Sequence, residues 1–175
     1  MAELGERDGL SARALELTIL TGLRTSECVE GLWLEIDVVE RLWRIPSERM
    51  KSGKSHTVPL AARAIAILSG LPRILGSEYL FPGSQGGSLS NMAMLEMLRG
   101  LRPGLTVHGF RSTLRDWAAE QTHHPAWVAE APLAHVVANK VEAAYRRGEL
   151  IEKRRALMDD WASYCSGAVA ETKNA

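Results

Sequence analysis

Between Trp33 and Leu60 the apolar residues stop recurring every three or four positions and begin to alternate, and this change of period constrains the fold more than any other feature. Leu34, Ile36 and Val38, then residues 42–45, then residues 56–60 after Ser52 and Gly53, read as a small antiparallel sheet with a Ser-Gly turn. Both flanks are helical in pattern. Residues 10–21 are apolar on a helical period and stop at Gly22, and Thr25 or Ser26 caps a short second helix that carries Glu27 in its first turn. Downstream, helices are expected over residues 61–69, over 88–98 with Ser88 or Ser90 as cap and Gly100 as stop, and over 108–121. Three more follow, from Pro125 to about Leu133, over 139–147 and over 151–164. The predicted class is α+β, mainly α-helical, with a three-stranded antiparallel sheet at one edge.

With 175 residues and 46% apolar content, the chain is expected to form one domain over residues 1–168, with 169–175 as a frayed tail. No run of about 18 apolar residues exists, and residues 1–8 lack the basic-then-apolar pattern of a secretory signal, which predicts a cytoplasmic protein with no membrane contact. Cys28 and Cys165 show neither metal-knuckle nor disulfide spacing and are read as reduced and buried. The net charge is zero, with 21 basic and 21 acidic residues, so the total says nothing about a nucleic-acid partner. The distribution says more: residues 49–77 and 97–115 contain no acid, and they hold Arg49, Lys51, Lys54, Arg63 and Arg73, then Arg99, Arg102, Arg111 and Arg115. Such windows either build one basic face or sit on ordinary solvated helices.

Five segments carry the candidate chemistry. Thr21-Gly22-Leu23-Arg24-Thr25-Ser26-Glu27 resembles the first arginine box of the tyrosine recombinases of the phage-integrase type. The stretch from Met50 through Lys51 and Lys54 to Val58-Pro59-Leu60 resembles their lysine hairpin, and His108-Gly109-Phe110-Arg111 their second box. Leu133-Ala134-His135 is similar to the third box and Ala143-Ala144-Tyr145-Arg146-Arg147 to the nucleophile segment. Tyr145 follows His135 by ten residues, as in the prophage and genomic-island subgroup.

The resemblance implies cleavage and rejoining of double-stranded DNA through a covalent 3′-phosphotyrosine. A phosphodiester under attack by a hydroxyl gains negative charge on its nonbridging oxygens, and planar, permanently charged guanidinium groups suit that charge. Arg24 and Arg111 are therefore expected to clamp the phosphate. Tyr145 is the expected nucleophile, His108 its proton acceptor, and His135 a hydrogen-bond donor to a phosphate oxygen. Lys51 is expected to protonate the departing 5′ oxygen, with Lys54 its neighbouring competitor. Tyr164 follows the pattern at too great a distance and Tyr79 precedes it. The resemblance further implies a homo-tetramer on paired DNA sites that is monomeric when free, no cofactor, no metal, and an N-terminal core-binding and arm-binding region absent from this chain. The 151–164 segment is an amphipathic candidate for exchange between subunits, or else packs on its own domain.

Plainer readings stand beside these. Arg24 with Glu27 could be a surface ion pair of small worth, and His135 or Tyr145 an ordinary polar residue of a helical domain. His123 and His124 lack companion ligands and read as a capping loop before Pro125, and the five tryptophans read as packing. The rival functions are a non-catalytic DNA-binding remnant and a type IB topoisomerase, which shares the chemistry but does not exchange strands.

Overall fold

The computed structural model describes residues 1–130 and 147–167. Its centre is helix α2 (Leu10–Thr21), in which Ala12, Ala14, Leu15, Leu17, Ile19 and Leu20 are all buried. A helix apolar on most of its circumference must be covered on all sides. Here the cover is α1 (Ala2–Gly5), α3 (Thr25–Val29), α4 (Ala62–Gly70), α5 (Asn91–Leu101) and the long helix α8 (Arg147–Ser166). Glu16 is the one buried charge on α2, and its carboxylate is held by Arg13 of the same helix and by Arg63, each at 2.7 Å.

The sheet has the order β1 (Ile36–Asp37), β2 (Leu42–Ile45), β3 (His56–Pro59), antiparallel throughout. Ile36 pairs with Trp43, and Leu42 through Ile45 pair with Pro59 through His56. Inward-facing Trp43, Ile45 and Val58 join the core while Arg44 faces solvent, the alternation expected of a half-buried strand. The link from β2 to β3 is longer than a tight hairpin. Pro46 has no N–H to continue the ladder, a 3₁₀ turn (Ser47–Arg49) follows, and only then comes the turn at Gly53, where φ is +65° and the amide donates to the Met50 carbonyl at 2.8 Å.

Several helix boundaries differ from the sequence expectation; α8, for one, is already helical at Arg147, where a new helix was expected only from residue 151. Helix α3 is entered from Arg24, whose extended backbone occupies the cap position that Thr25 or Ser26 was expected to fill. In α5 the Ser90 hydroxyl accepts from the Met92 amide, but Gly100 does not stop the helix, which runs on to Leu101. Helices α6 (Gly109–Gln121) and α7 (Ala126–Glu130) pack against α8. Helix α8 buries Leu157, Met158 and Trp161 along one face, and the Trp161 indole donates to the Ile19 carbonyl at 2.8 Å. Over its described length α8 thus packs on its own chain. Tyr164 lies in an aromatic cluster, 5.3 Å from Trp117 and 5.6 Å from Trp161 between ring centres. Both cysteines are free; Cys28 is buried and Cys165 half-buried. Among the described residues no helix is long and apolar enough to cross a membrane.

Candidate active site

One turn assembles the two arginines. Helix α2 ends at Gly22 in the left-handed conformation (φ +67°), its amide returning to the Thr18 carbonyl at 3.0 Å, which a side chain would make strained. Two residues on, Arg24 begins α3. Its backbone N–H donates to Glu27 Oε2 at 2.9 Å and its Nη1 donates to Glu27 Oε1 at 2.6 Å. Glu27 is buried while the Arg24 side chain remains 29% exposed, so this is a guanidinium held from behind by an interior carboxylate and open in front. The surface-pair reading of Arg24 and Glu27 does not survive that burial.

Arg111 reaches the same turn from the far side. It lies one helical turn after His108 on α6, its amide bonded to the His108 carbonyl at 3.1 Å, and its Nη1 donates to the carbonyl of Gly22 itself. Arg111 is buried, and burial lowers the proton affinity of its guanidinium. The neighbouring positive charge of Arg24 lowers it further, and Glu27 opposes both. Arg24 and Arg111 thus stand near enough to repel each other with one carboxylate, Glu27, to offset them, a local excess of positive charge that favours a bound anion, although Arg111 is not among the residues lining the cleft beside Arg24.

His108 stands at the start of α6, exposed, where it and Arg24 line one open cleft. The cleft has a volume of about 590 Å³, and Thr25, Asn91, Arg99 and Thr106 also line it, with no carboxylate among its lining residues. Asn91, Arg99 and Thr106 were not singled out individually in the sequence. Arg99 could have been suspected from the second acid-free window, whereas the two polar residues leave no signal. Lys51 and Lys54 sit on the exposed turn beyond β2 and do not line that cleft. His135 and Tyr145 lie outside the described residues.

The acid-free windows do not form one uniform basic face. Arg63 is spent on buried Glu16 and Arg102 on Glu3, while Arg49 turns inward onto Glu35, with Nε to Oε1 at 2.7 Å and Nη2 to Oε2 at 2.9 Å. The acids absent from these stretches of sequence are supplied by other elements in space. His124 pairs with Asp160 at 2.8 Å, and among the described residues no group of His, Cys, Asp and Glu is arranged to hold a metal ion.

Residues 5–149 match the phage integrase family. The chain is 37% identical over 165 residues to the prophage integrase IntA of Escherichia coli (strain K12), covering 91% of this chain and 40% of that protein. To the integrase of Enterobacteria phage P4 it is 33% identical over 171 residues, covering 86% of this chain and 39% of the phage protein. It therefore spans about two fifths of the length of these curated relatives. The fold is shared with the integrase from mycobacterium phage Brujita, with a TM-score of 0.66 at 21% identity over 89% of this chain and 53% of that one. A Tn1549 transposon integrase in complex with circular intermediate DNA matches with a TM-score of 0.51 at 15% identity, over 78% of this chain and 52% of that one. With the Gly22 turn, the two arginines and the sheet in place, and with the family matched over most of its length, this chain belongs to the phage integrase family.

Proposed function

We propose that this chain is the catalytic domain, over residues 1–168, of a site-specific DNA recombinase that integrates or excises a mobile element in the cytoplasm. The observation that carries the reading is the convergence of Arg24, backed by buried Glu27, with Arg111 on the Gly22 turn, beside a carboxylate-free cleft that His108 shares. Family membership and the DNA bound to the Tn1549 integrase support it.

In this mechanism the scissile phosphate of double-stranded DNA rests on Arg24 and Arg111. The Tyr145 hydroxyl attacks phosphorus, its proton passing to His108, and the bond from phosphorus to the 5′ oxygen breaks. Lys51, from its exposed turn, gives a proton to the departing oxygen, and His135 donates to a nonbridging oxygen. The products are a 3′-phosphotyrosine and a free 5′ hydroxyl. Attack by the 5′ hydroxyl of another strand reverses the step, so phosphodiester energy is conserved and neither a metal nor a high-energy cofactor is required. Strand exchange needs two DNA sites held together, which four copies of the protein would provide.

The test is cleavage of half-site duplexes taken from the DNA flanking the gene, by the unsubstituted chain and by Arg24→Ala and Arg111→Lys. Loss of one such donor is expected to slow covalent-complex formation about a hundredfold to a thousandfold, with DNA affinity reduced far less. Cleavage unchanged in both variants would overturn the assignment.

A further inference from the structure

The mechanism uses Lys51 on an exposed turn, and the chain around it shows how that turn is anchored. Met50, immediately before it, is buried in the core. Arg49, one residue earlier, has its side chain folded inward and 15% exposed. Its Nε and Nη2 grip the two oxygens of Glu35 at 2.7 and 2.9 Å, and Nη2 also donates to the backbone carbonyl of Glu27 at 3.0 Å. Glu35 is itself fixed, accepting from the Trp43 indole at 2.9 Å and from the Leu32 amide at 3.2 Å. The Glu27 whose carbonyl Arg49 holds is the residue whose carboxylate holds Arg24. One planar guanidinium therefore ties the base of the lysine turn to both the sheet and the helix that carries the phosphate-binding arginine.

We propose that Arg49 is a positioning residue for the general acid: through Glu35 and the Glu27 carbonyl it fixes the base of the Lys51 turn relative to Arg24, so that the lysine reaches the departing 5′ oxygen. This rests on the recombinase reading and on Lys51 as the acid, and it concerns a residue that touches no substrate. A lysine at position 49 would keep the charge but could not make the paired contacts with Glu35 and the third with Glu27. The turn would then lose its registration while the Arg24–Glu27 pair stayed formed.

The discriminating probe is a half-site duplex whose scissile 5′ bridging oxygen is replaced by sulfur. A thiolate leaves without being protonated, so a defect in proton delivery disappears on this substrate and a defect in phosphate binding or in folding does not. Covalent-complex formation is measured on the oxygen and sulfur duplexes for the unsubstituted chain, Lys51→Met, Arg49→Lys and Glu35→Gln. Misplacing a catalytic group by about 1 Å costs on the order of a hundredfold, so Arg49→Lys and Glu35→Gln are expected to fall about tenfold to a hundredfold on the oxygen duplex and less than about threefold on the sulfur duplex, as Lys51→Met does. Equal losses of Arg49→Lys and Glu35→Gln on both duplexes, with Lys51→Met still rescued by sulfur, would overturn the positioning role alone. No rescue of Lys51→Met would remove the lysine assignment and this inference with it. No adduct from the unsubstituted chain on either duplex would refute the recombinase reading itself.

Discussion

Glu35 offers the sharpest test of how the sheet and the first arginine helix are joined. Its carboxylate has no exposed surface and accepts four hydrogen bonds, two from Arg49 and one each from Trp43 and Leu32. Replacing it with alanine strands a buried guanidinium, an indole N–H and a backbone N–H. Removing one partner of a buried ion pair costs about 3–5 kcal/mol. For a chain of this size each kcal/mol lowers the melting temperature by roughly 2–4 °C, which places the Glu35→Ala drop on the order of 10 °C. Urea unfolding of a double-variant cycle isolates the pair. Glu35→Gln keeps an acceptor for the Trp43 indole but removes the charge, and Arg49→Met removes the opposite charge while filling its volume. Because each single variant leaves a buried charge without its partner, the double variant is expected to be more stable than the sum of the singles predicts, by about 2 kcal/mol or more. Additivity within about 0.5 kcal/mol would refute the argument, since it would mean the two groups do not share an interaction.

Other consequences are simpler to measure. Arg154 is buried, its Nε and Nη2 have no hydrogen-bond acceptor among the described residues, and burial pulls its guanidinium down to about 10. The native state holds that proton less tightly than the unfolded chain, so the penalty is present in full below pH 10 and is relieved as pH rises above it. Because a buried charge with two unpartnered N–H groups is costly, Arg154→Met is expected to raise stability at pH 7 by roughly 1–3 kcal/mol, and a lower melting temperature for this variant would contradict it. A methyl group at Gly31 would lie 2.4 Å from Trp43 Cζ2 and 2.9 Å from the Cys28 carbonyl oxygen. Gly31→Ala should thus destabilise by roughly 1–3 kcal/mol in the same urea assay, and a neutral result would show that Trp43 can move. Burial pushes the Cys28 and Cys165 thiols up to about 12, so iodoacetamide at pH 8 should leave both largely unmodified until the chain is unfolded, and rapid labelling of Cys28 in the folded state would contradict its burial.

Much of this architecture is local in origin and could be read from the residues in order. Gly22 stops α2 because its left-handed conformation is open chiefly to glycine, and the alternation over Trp43, Arg44 and Ile45 fixes a strand with one face on the core. The departures have tertiary causes. Gly100 signals a stop that α5 overrides, with Leu98 buried and Leu101 packed on the core beside it. The cap of α3 passes to Arg24 because Glu27, buried by its surroundings, reaches back to the Arg24 amide. Arg49 looked like one more cation in a basic stretch, and nothing near it in sequence reveals that Glu35, fourteen residues earlier, receives it. Part of the candidate constellation is equally local: Arg24 stands at the start of α3, and His108 and Arg111 lie one turn apart at the start of α6, so each can be picked out by its flanks, whereas Arg99 and Asn91 reach the cleft only because α5 packs beside α3.

In the proposed reaction DNA becomes covalently attached to Tyr145 with its scissile phosphate held by the two arginines. The most direct measurement traps the complex on a half-site duplex, digests the protein and identifies the DNA-bearing peptide by mass spectrometry. Attachment at Tyr145 is expected, with no adduct in Tyr145→Phe. Attachment at Tyr164, or an adduct that persists in Tyr145→Phe, would contradict it.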